Sequence, residues 1–160
     1  MAALTQDVVR KKRGVGGRDT LAIATSITLY VGSLLNRRNT TGRALAATAA
    51  TGRRILGVAQ VLKSTTNGPS AGTGVGNASG TEEVEYEYGN EHLFTIKTAI
   101  RTNTSLGLNV FVIDDQTVGG TAAGTAAARV TVGVLRSWEA SDKSTGWVAV
   151  GVFGPINIAV

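Results

Sequence analysis

The sequence predicts an all-β protein: a small barrel or sandwich of two related strand–loop–strand units, with an extended N-terminal arm. Three observations predict this fold class. Only 5% of the 160 residues are aromatic and 17% are charged, whereas 21 are glycine, which is typical of short strands and many turns rather than of a helical bundle. Apolar and polar residues alternate in several short runs, as half-buried strands require. Two parts of the chain also echo one another.

The first 19 residues, MAALTQDVVRKKRGVGGRD, form the predicted N-terminal arm. They sustain neither a period of two nor a period of 3.6, and they hold a basic cluster and three glycines. We therefore expect residues 1–19 to lie outside the core as an extended basic arm, and residues 20–160 to form a single β domain.

Two strands are predicted in the first half of this domain. In ITLYVGSLL (27–35) the apolar residues Ile27, Leu29 and Val31 alternate with other residues, as in a half-buried strand. RILGVAQVL (54–62) reads as the next strand. Between them, ALAATAAT (44–51) is bounded by glycines and is long enough only for a marginal helix.

Residues 65–80, TTNGPSAGTGVGNASG, predict a flexible Gly/Ser/Thr-rich excursion from the domain. The glycines of GTGVGN superficially match a nucleotide-binding loop. That fingerprint requires a strand before it and a helix after it. Neither is indicated here, so no phosphate-binding loop is expected.

Two further strand pairs are predicted in the second half. EEVEYEY places glutamates on one face, and Gly89-Asn90 then leads into HLFTIKTAIR, which predicts a hairpin. ARVTVGVLRSW (128–138) and GWVAVGVFG (146–154), joined by EASDKST, predict the last pair of strands.

An internal echo links the two halves. TSITLYV (25–31) is similar to TSLGLNV (104–110), and ILGV (55–58) is similar to TVGV (131–134). These matches predict a duplicated strand–loop–strand unit and a barrel or sandwich with pseudo-symmetry. Coincidence in a Thr/Ala/Gly-rich chain is the alternative.

The candidate catalytic groups are Asp114, Asp115 and the single histidine, His92. Adjacent residues of a strand point to opposite faces, so two neighbouring aspartates cannot converge on one ligand. Asp114 and Asp115 in VFVIDDQTVGG therefore predict a turn at a strand end, and His92 predicts a strand-edge residue. A small enzyme using these three residues is the less favoured alternative. Because the chain has no cysteine, disulfides and thiolate metal sites are excluded, and no cofactor is expected.

Positive charge is concentrated in the first third of the chain. Residues 1–54 hold ten Lys/Arg against two acids, whereas residues 55–160 hold six against nine. The cluster RKKR (10–13) with Arg18 is typical of a solvated tail, of a nucleic-acid contact or of a segment that meets an acidic protein surface. No aromatic residue interleaves with it for base stacking. The longest apolar stretch, Leu21–Leu35, is too polar and too short to span a bilayer.

Several segments resemble the capsid decoration, or cement, proteins of tailed bacteriophages. The resemblance is carried by MAALT followed by RKKRG, by YVGSLLNRRNTTGRALAA and GVAQV, by VFVIDDQTV, and by the closing GWVAVGV. It is distributed from residue 1 to about residue 151. The chain departs from the family at GPSAGTGVGNASG, at EEVEYEY and at the tail GPINIAV.

The resemblance implies a non-enzymatic structural virion protein on the outer surface of the capsid. Such a protein bridges neighbouring major capsid subunits and stabilises the head, and it assembles in the bacterial host cytoplasm, where a chain without cysteine is at no disadvantage. The implied partners are the major capsid protein and other copies of the chain, as a dimer or trimer. No small-molecule substrate and no membrane are expected, and a nucleic-acid partner acting through the N-terminal arm is the alternative.

Under this reading the N-terminal arm contacts the partner. An extended segment that orders on binding covers much surface with few residues. The cations are expected to lie near carboxylates of the shell protein or of a neighbouring copy, for which the acidic 82–91 stretch is a candidate within the assembly. Deletion of residues 1–13 is expected to leave the folded body intact. The expected contact residues are three apolar anchors and five cations: Leu4, Val8, Val9, Arg10, Lys11, Lys12, Arg13 and Arg18.

Overall fold

The computed structural model describes Leu4, Val8 and residues 10–25, 27–63, 75–76, 82–120 and 129–152. Within these residues the regular structure is strands and two short 3-10 helices, Thr98–Ile100 and Asn103–Ser105, with no α-helix. The predicted all-β fold class is confirmed. The strands are β1 (Lys12–Arg13), β2 (Gly17–Ala22), β3 (Thr28–Leu29), β4 (Leu34–Arg38), β5 (Ala44–Ala46), β6 (Arg53–Lys63), β7 (Val75–Gly76), β8 (Glu83–Tyr88), β9 (Glu91–Ile96), β10 (Asn109–Val112), β11 (Thr117–Gly119), β12 (Thr131–Trp138) and β13 (Thr145–Val150).

The last five strands close into a barrel, which we call the second barrel. Its order is β9-β11-β10-β12-β13, and β13 pairs back onto β9. Every pairing in the ring is antiparallel except that of β9 with β11, which is parallel. Closure leaves no free edge in this ring, which is how small β proteins avoid unwanted pairing with other chains.

The earlier strands form a similar ring, which we call the first barrel. Its sheet order is β2-β8-β6-β4-β5, with antiparallel ladders throughout. A parallel bridge between Ile23 and Ala44 joins the two ends of the sheet. The N–H of Ala24 donates to the carbonyl oxygen of Ala44 at 2.8 Å and reinforces that closure.

The two barrels have the same topology. In each, the strands follow the spatial order first, third, second, fourth, fifth, and the first and third strands form the parallel pair. The registers also match. Val58 lies opposite Glu87 in the first barrel, and the equivalent ladder of the second barrel places Val134 opposite Ala149. The chain is therefore an internal duplication of a five-stranded barrel.

The bulges of the two barrels coincide as well. The ladder between β4 and β6 shifts register after Leu35, and the ladder between β10 and β12 shifts after Val110. The ladder between β6 and β8 shifts after Ala59, and that between β12 and β13 shifts after Leu135. Bulges set the local bend and twist of a strand, so equivalent bulges give the two barrels the same curvature.

Glycines at equivalent positions support the duplication. Gly32 and Gly107 turn the chain into the second strand of each barrel, with φ of 86° and 81° that side-chain-bearing residues rarely adopt. A Cβ at Gly57 would collide with the carbonyl oxygen of Glu87, and one at Gly133 would collide with that of Ala149. Both barrels thus need glycine at the same closely packed crossing.

The two halves that resemble each other in sequence also resemble each other in structure. The repeated unit is larger than the sequence match indicates, and part of the alignment differs. ILGV (55–58) and TVGV (131–134) occupy equivalent positions in β6 and β12. By contrast, the structural equivalent of TSLGLNV (104–110) is residues 29–35, four residues later than the sequence match suggests. Each repeated unit is a complete barrel rather than a strand–loop–strand unit.

The two barrels share an apolar core. Leu34, Ala47 and Val58 of the first barrel pack in one buried cluster with residues of the second barrel, including Phe94 and Val148. A separate cluster around Leu29, Leu35 and Val84 fills the first barrel. Backbone hydrogen bonds also cross the junction, from Leu34 to the carbonyl of Asp115 at 2.8 Å and from Gly89 to that of Val150 at 2.7 Å.

Several local predictions were wrong. The strands on either side of Gly89-Asn90 do not form a hairpin, because β8 pairs with β2 and β6 while β9 begins the second barrel. ITLYVGSLL is divided by the turn at Gly32 into β3 and β4. The start of ALAATAAT is the strand β5, since pairing with β4 satisfies its backbone.

The predicted boundary after residue 19 does not exist in the fold. β1 pairs with β9, placing Lys12 opposite His92, and β2 forms a six-residue ladder with β8 as a strand of the first barrel. Deleting residues 1–13 would remove β1 and the Arg10 hydrogen bonds, so we now expect it to destabilise the folded body rather than leave it intact. Of the excursion predicted at 65–80, only β7 lies within the described residues, paired with β3.

Candidate functional site

Asp114 and Asp115 form the turn between β10 and β11, as predicted. The N–H of Ile113 donates to the carbonyl oxygen of Thr117 at 3.0 Å and closes the turn. One carboxylate oxygen of Asp114 accepts the N–H of Gln116 at 3.0 Å, the local bond that makes aspartate a favoured turn residue.

Asp115 has a second role that the sequence did not indicate. Its side chain is buried, and its two carboxylate oxygens accept the N–H of Leu4 and the hydroxyl of Ser33, each at 3.0 Å. Burial raises the pKa of the Asp115 carboxyl, and these two hydrogen bonds oppose that shift. Asp115 therefore joins the N-terminal segment, the first barrel and the second barrel.

Arg10 lies at the same junction and is largely buried. Its guanidinium donates to the carbonyl oxygens of Gly32 at 2.9 Å, Leu93 at 2.7 Å and Asp115 at 3.4 Å, and it stacks 4.2 Å above the ring of Phe94. Burial lowers its pKa to about 10, an effect that the nearby aspartates oppose. Arg10 consequently remains charged at neutral pH and binds both barrels.

Arg10 supplies a hydrogen-bond donor to the part of the β9 edge that β1 and β11 do not cover. β1 covers that edge at Glu91 and His92, and β11 covers it at Thr95 and Ile96. Leu93 lies between them: its N–H donates to the carbonyl of Lys11 at 3.0 Å, and its carbonyl accepts the Arg10 side chain. A buried carbonyl without a partner is costly, so Arg10 fills a gap that neither strand reaches.

His92 is fully buried in β9 rather than lying at a strand edge, because Lys12 of β1 and Val148 of β13 pair with it on either side. Its two ring nitrogens have no hydrogen-bond partner among the described residues. Burial lowers the pKa of His92 to about 4, against the opposing charge of Glu87. The ring is therefore neutral at neutral pH and packs as a core side chain.

The remaining predicted contact cations bind carboxylates of their own chain. Lys12 pairs with Glu87 at 2.9 Å, and Arg18 with Glu85 at 3.2 Å. Lys11 pairs with Glu139 at 3.3 Å, Arg13 pairs with Glu91, and Arg13 also lies 4.4 Å above the Trp147 ring. The acidic 82–91 stretch is thus the partner of the N-terminal cations, but within one chain.

The apolar anchors differ from one another in burial. Leu4 is buried, whereas Val8 is 37% exposed, and its N–H donates to the carbonyl of Val31 at 2.9 Å. Val9 lies outside the described residues.

Four other arginines form a group that sequence reasoning did not single out. Arg37 lies opposite Arg54, and Arg38 lies opposite Arg53, on the last two rungs of the ladder between β4 and β6. We call these four residues the arginine cluster. Three of them are exposed and Arg53 is half-buried. Within the described residues none of the four forms an ion pair.

The arginine cluster is electrostatically unfavourable in the isolated chain. Like charges placed directly opposite one another across strands are destabilising. Burial, and then the charge of Arg38, lowers the pKa of Arg53. One terminal nitrogen of Arg53, Nη1, is shielded from solvent and has no hydrogen-bond partner among the described residues.

The second barrel shows that the fold does not need arginine at two of these positions, Arg37 and Arg54. The equivalents of Arg37 and Arg54 there are Val112 and Val130, both buried in the shared core. The signal that could have found the cluster is an alignment of the two halves, which pairs RR (37–38) with VI (112–113).

The described residues contain no group of three or more His, Asp or Glu side chains that could hold a metal ion. They also include no helix of the length and hydropathy that crossing a membrane requires. Fold and site together define a tandem β-barrel protein with an arginine cluster that forms no ion pair with any other described residue. Comparison with protein families, with curated proteins and with solved structures finds no match for the chain.

Proposed function

We propose that this chain is a structural virion protein, a capsid decoration protein of a tailed bacteriophage. It binds the outside of the head, bridges neighbouring major capsid subunits and stabilises the shell. The resemblance of MAALT, RKKRG, VFVIDDQTV and GWVAVGV to that family supports the proposal.

The observation that carries the proposal is the fusion of two equivalent barrels through one core. A bridge between neighbouring subunits needs two contact surfaces held at a fixed separation. The shared cluster around Leu34 and Val58, together with Arg10 and Asp115, fixes one barrel against the other. Symmetric shells present the same surface repeatedly, and a duplicated barrel offers a repeated element to meet it.

Residues of the two alternative functions already form contacts within the chain. An enzyme using Asp114, Asp115 and His92 would need them accessible and close together, but Asp115 and His92 are buried and His92 bonds to neither aspartate. A nucleic-acid contact through residues 10–13 would compete with their bonds to carbonyls and carboxylates of the same chain. Both observations favour a structural role.

Binding to shells is the direct test. Heads assembled from the major capsid protein of the same genome should bind the purified chain in a sedimentation assay, saturably and on the outer surface. The heads should also open at a higher temperature when decorated. Failure to bind at saturating concentration, with the chain shown to be folded by circular dichroism, would refute the proposal.

We further propose that the chain acts on the shell as a homo-oligomer, a dimer or a trimer. Light scattering of the free chain and a reconstruction of decorated heads would establish the copy number. A single copy at each isolated site would contradict this part.

A further inference from the structure

The arginine cluster concentrates positive charge that the described fold does not neutralise. Four described carboxylates, Glu85, Glu87, Glu91 and Glu139, bind the N-terminal cations. No ion pair between described residues involves the four arginines at the end of β4 and the start of β6.

The geometry of the cluster favours an extended partner over a small ion. Residues directly opposite across a ladder share a face, and successive residues alternate. Arg37 and Arg54 consequently lie on one face, and Arg38 and Arg53 on the other. Guanidinium groups on opposite faces of the ladder cannot all bind one small anion. A larger partner surface that covers the end of the ladder can contact both arginine pairs.

The chemistry favours carboxylates over nucleic acid. Arg presents a planar fork that binds carboxylates through two hydrogen bonds. Phosphate backbones bind cations arranged along a track of several phosphates, but this cluster spans two rungs.

We propose that the arginine cluster is a docking site for a carboxylate-rich protein surface. The comparison between barrels supports this assignment, since the second barrel fills the positions equivalent to Arg37 and Arg54 with buried valines and folds with the same register. Identification of that surface as the major capsid protein rests on the proposed function, whereas recognition of clustered carboxylates does not.

The test uses the full chain and a fluorescein-labelled poly-L-glutamate probe, with binding followed by fluorescence anisotropy at low salt. The variant Arg38→Gln/Arg54→Gln removes one exposed arginine from each pair. Its affinity for the probe should fall at least about tenfold, because each lost partner made charge-assisted hydrogen bonds. Arg38→Lys/Arg54→Lys, which keeps the charge but loses the fork, should show an intermediate loss.

The matched control is Arg129→Gln/Arg136→Gln in the second barrel. It removes the same charge from exposed positions, one of which, Arg129, is the equivalent of Arg53. Its affinity should stay within about twofold of the parent chain. Equal losses in the two variants would overturn the proposal in favour of net charge alone. No binding of the probe, or tighter binding of a DNA duplex under the same conditions, would also overturn it.

Head binding separates this inference from the proposed function. If the probe requires the cluster but heads fail to bind the parent chain, the proposed function falls and the carboxylate site stands. If heads bind the parent chain and Arg38→Gln/Arg54→Gln equally well, the cluster is not the shell contact.

Discussion

At the scale of single residues, Arg10 and Asp115 connect the two barrels through side-chain hydrogen bonds. Both are ionisable; Asp115 is buried and Arg10 is partly buried. Arg10 donates to three backbone carbonyls, and Asp115 accepts the N–H of Leu4 and the hydroxyl of Ser33. A buried charge is tolerated when such hydrogen bonds replace its hydration. Their contribution lies in joining segments that are distant in sequence.

Replacing Arg10 with methionine should destabilise the protein by about 3 kcal/mol, because the carbonyl oxygens of Gly32 and Leu93 lose the guanidinium donor while a side chain of similar volume remains. Urea denaturation would measure the change in the free energy of unfolding. Lys11→Met, at an exposed neighbour, should change it by less than about 0.5 kcal/mol. Similar values for the two variants would contradict this role of Arg10.

His92 predicts a pH dependence of stability. Its folded pKa, about 4, lies below the ordinary value of about 6.5, so the unfolded chain binds the proton first as the pH falls. The stability that its neutral form provides is full above about pH 6.5 and is lost between about pH 6.5 and pH 4, by about 3 kcal/mol. Lys12 and Arg10 act in the same direction, and Glu87 opposes them.

The measurement is the free energy of unfolding at pH 7 and at pH 4.5 for the parent chain and for His92→Gln. Taking the difference between the two proteins cancels the contribution of Asp115, whose pKa is shifted upward. The parent should lose more stability than the variant on acidification. Parallel pH profiles would show that His92 is not buried in its neutral form.

Sequence reasoning located the residues of this junction without finding their contacts. Asp114 and Asp115 mark a turn because aspartate favours that backbone locally, and local chemistry is readable from a sequence. The hydrogen bond between Asp115 and Leu4 joins residues that are 111 positions apart in the sequence. No local sequence pattern indicates such a contact. Arg10 was predicted to contact a partner rather than its own chain for the same reason, since its backbone partners lie 22 to 105 residues away in sequence.

At the scale of elements, the ladder between β4 and β6 shows a conflict between folding and charge. Strand alternation predicted β6, β12 and β13, whose apolar residues face the core. β8 and β9 were also predicted as strands, but the predicted hairpin between them was wrong, because a glycine turn indicates a change of direction and not whether the next strand returns to the same sheet. Local sequence patterns do not explain why arginines face each other at the end of β4. The comparison with the equivalent ladder of the second barrel, which has valines at two of these positions, is what identifies them as unusual.

Changing Arg54 to glutamate should stabilise the isolated chain. The substitution converts the rung with Arg37 from a repulsive pair into an opposite-charge pair, worth roughly 0.2–1 kcal/mol. Thermal denaturation at low salt should show a higher Tm, and added NaCl should shrink the gain. Arg129→Glu, whose rung in the second barrel is apolar, is the control and should gain less. A lower Tm for Arg54→Glu would show that the cluster is not under repulsion.

At the scale of the whole molecule, duplication explains why one short chain holds two closed sheets. Each barrel alone is small, and small domains bury too little surface to be robust. Packing Leu34 and Val58 of the first barrel against Phe94 and Val148 of the second supplies a common core. The sequence echo at ILGV and TVGV indicated this duplication, but loops of different length hid its register elsewhere.

The shared core predicts that the two barrels unfold together. Both tryptophans, Trp138 and Trp147, lie in the second barrel, so their fluorescence reports on that barrel alone. Leu35 belongs to the separate cluster inside the first barrel. Leu35→Ala should destabilise the chain by about 2–5 kcal/mol. If unfolding is one cooperative event, the tryptophan transition shifts by the full amount and coincides with the far-ultraviolet circular dichroism transition. A tryptophan transition left in place while circular dichroism shows an earlier step would mean that the barrels unfold independently, and a rigid two-barrel bridge would lose its physical basis.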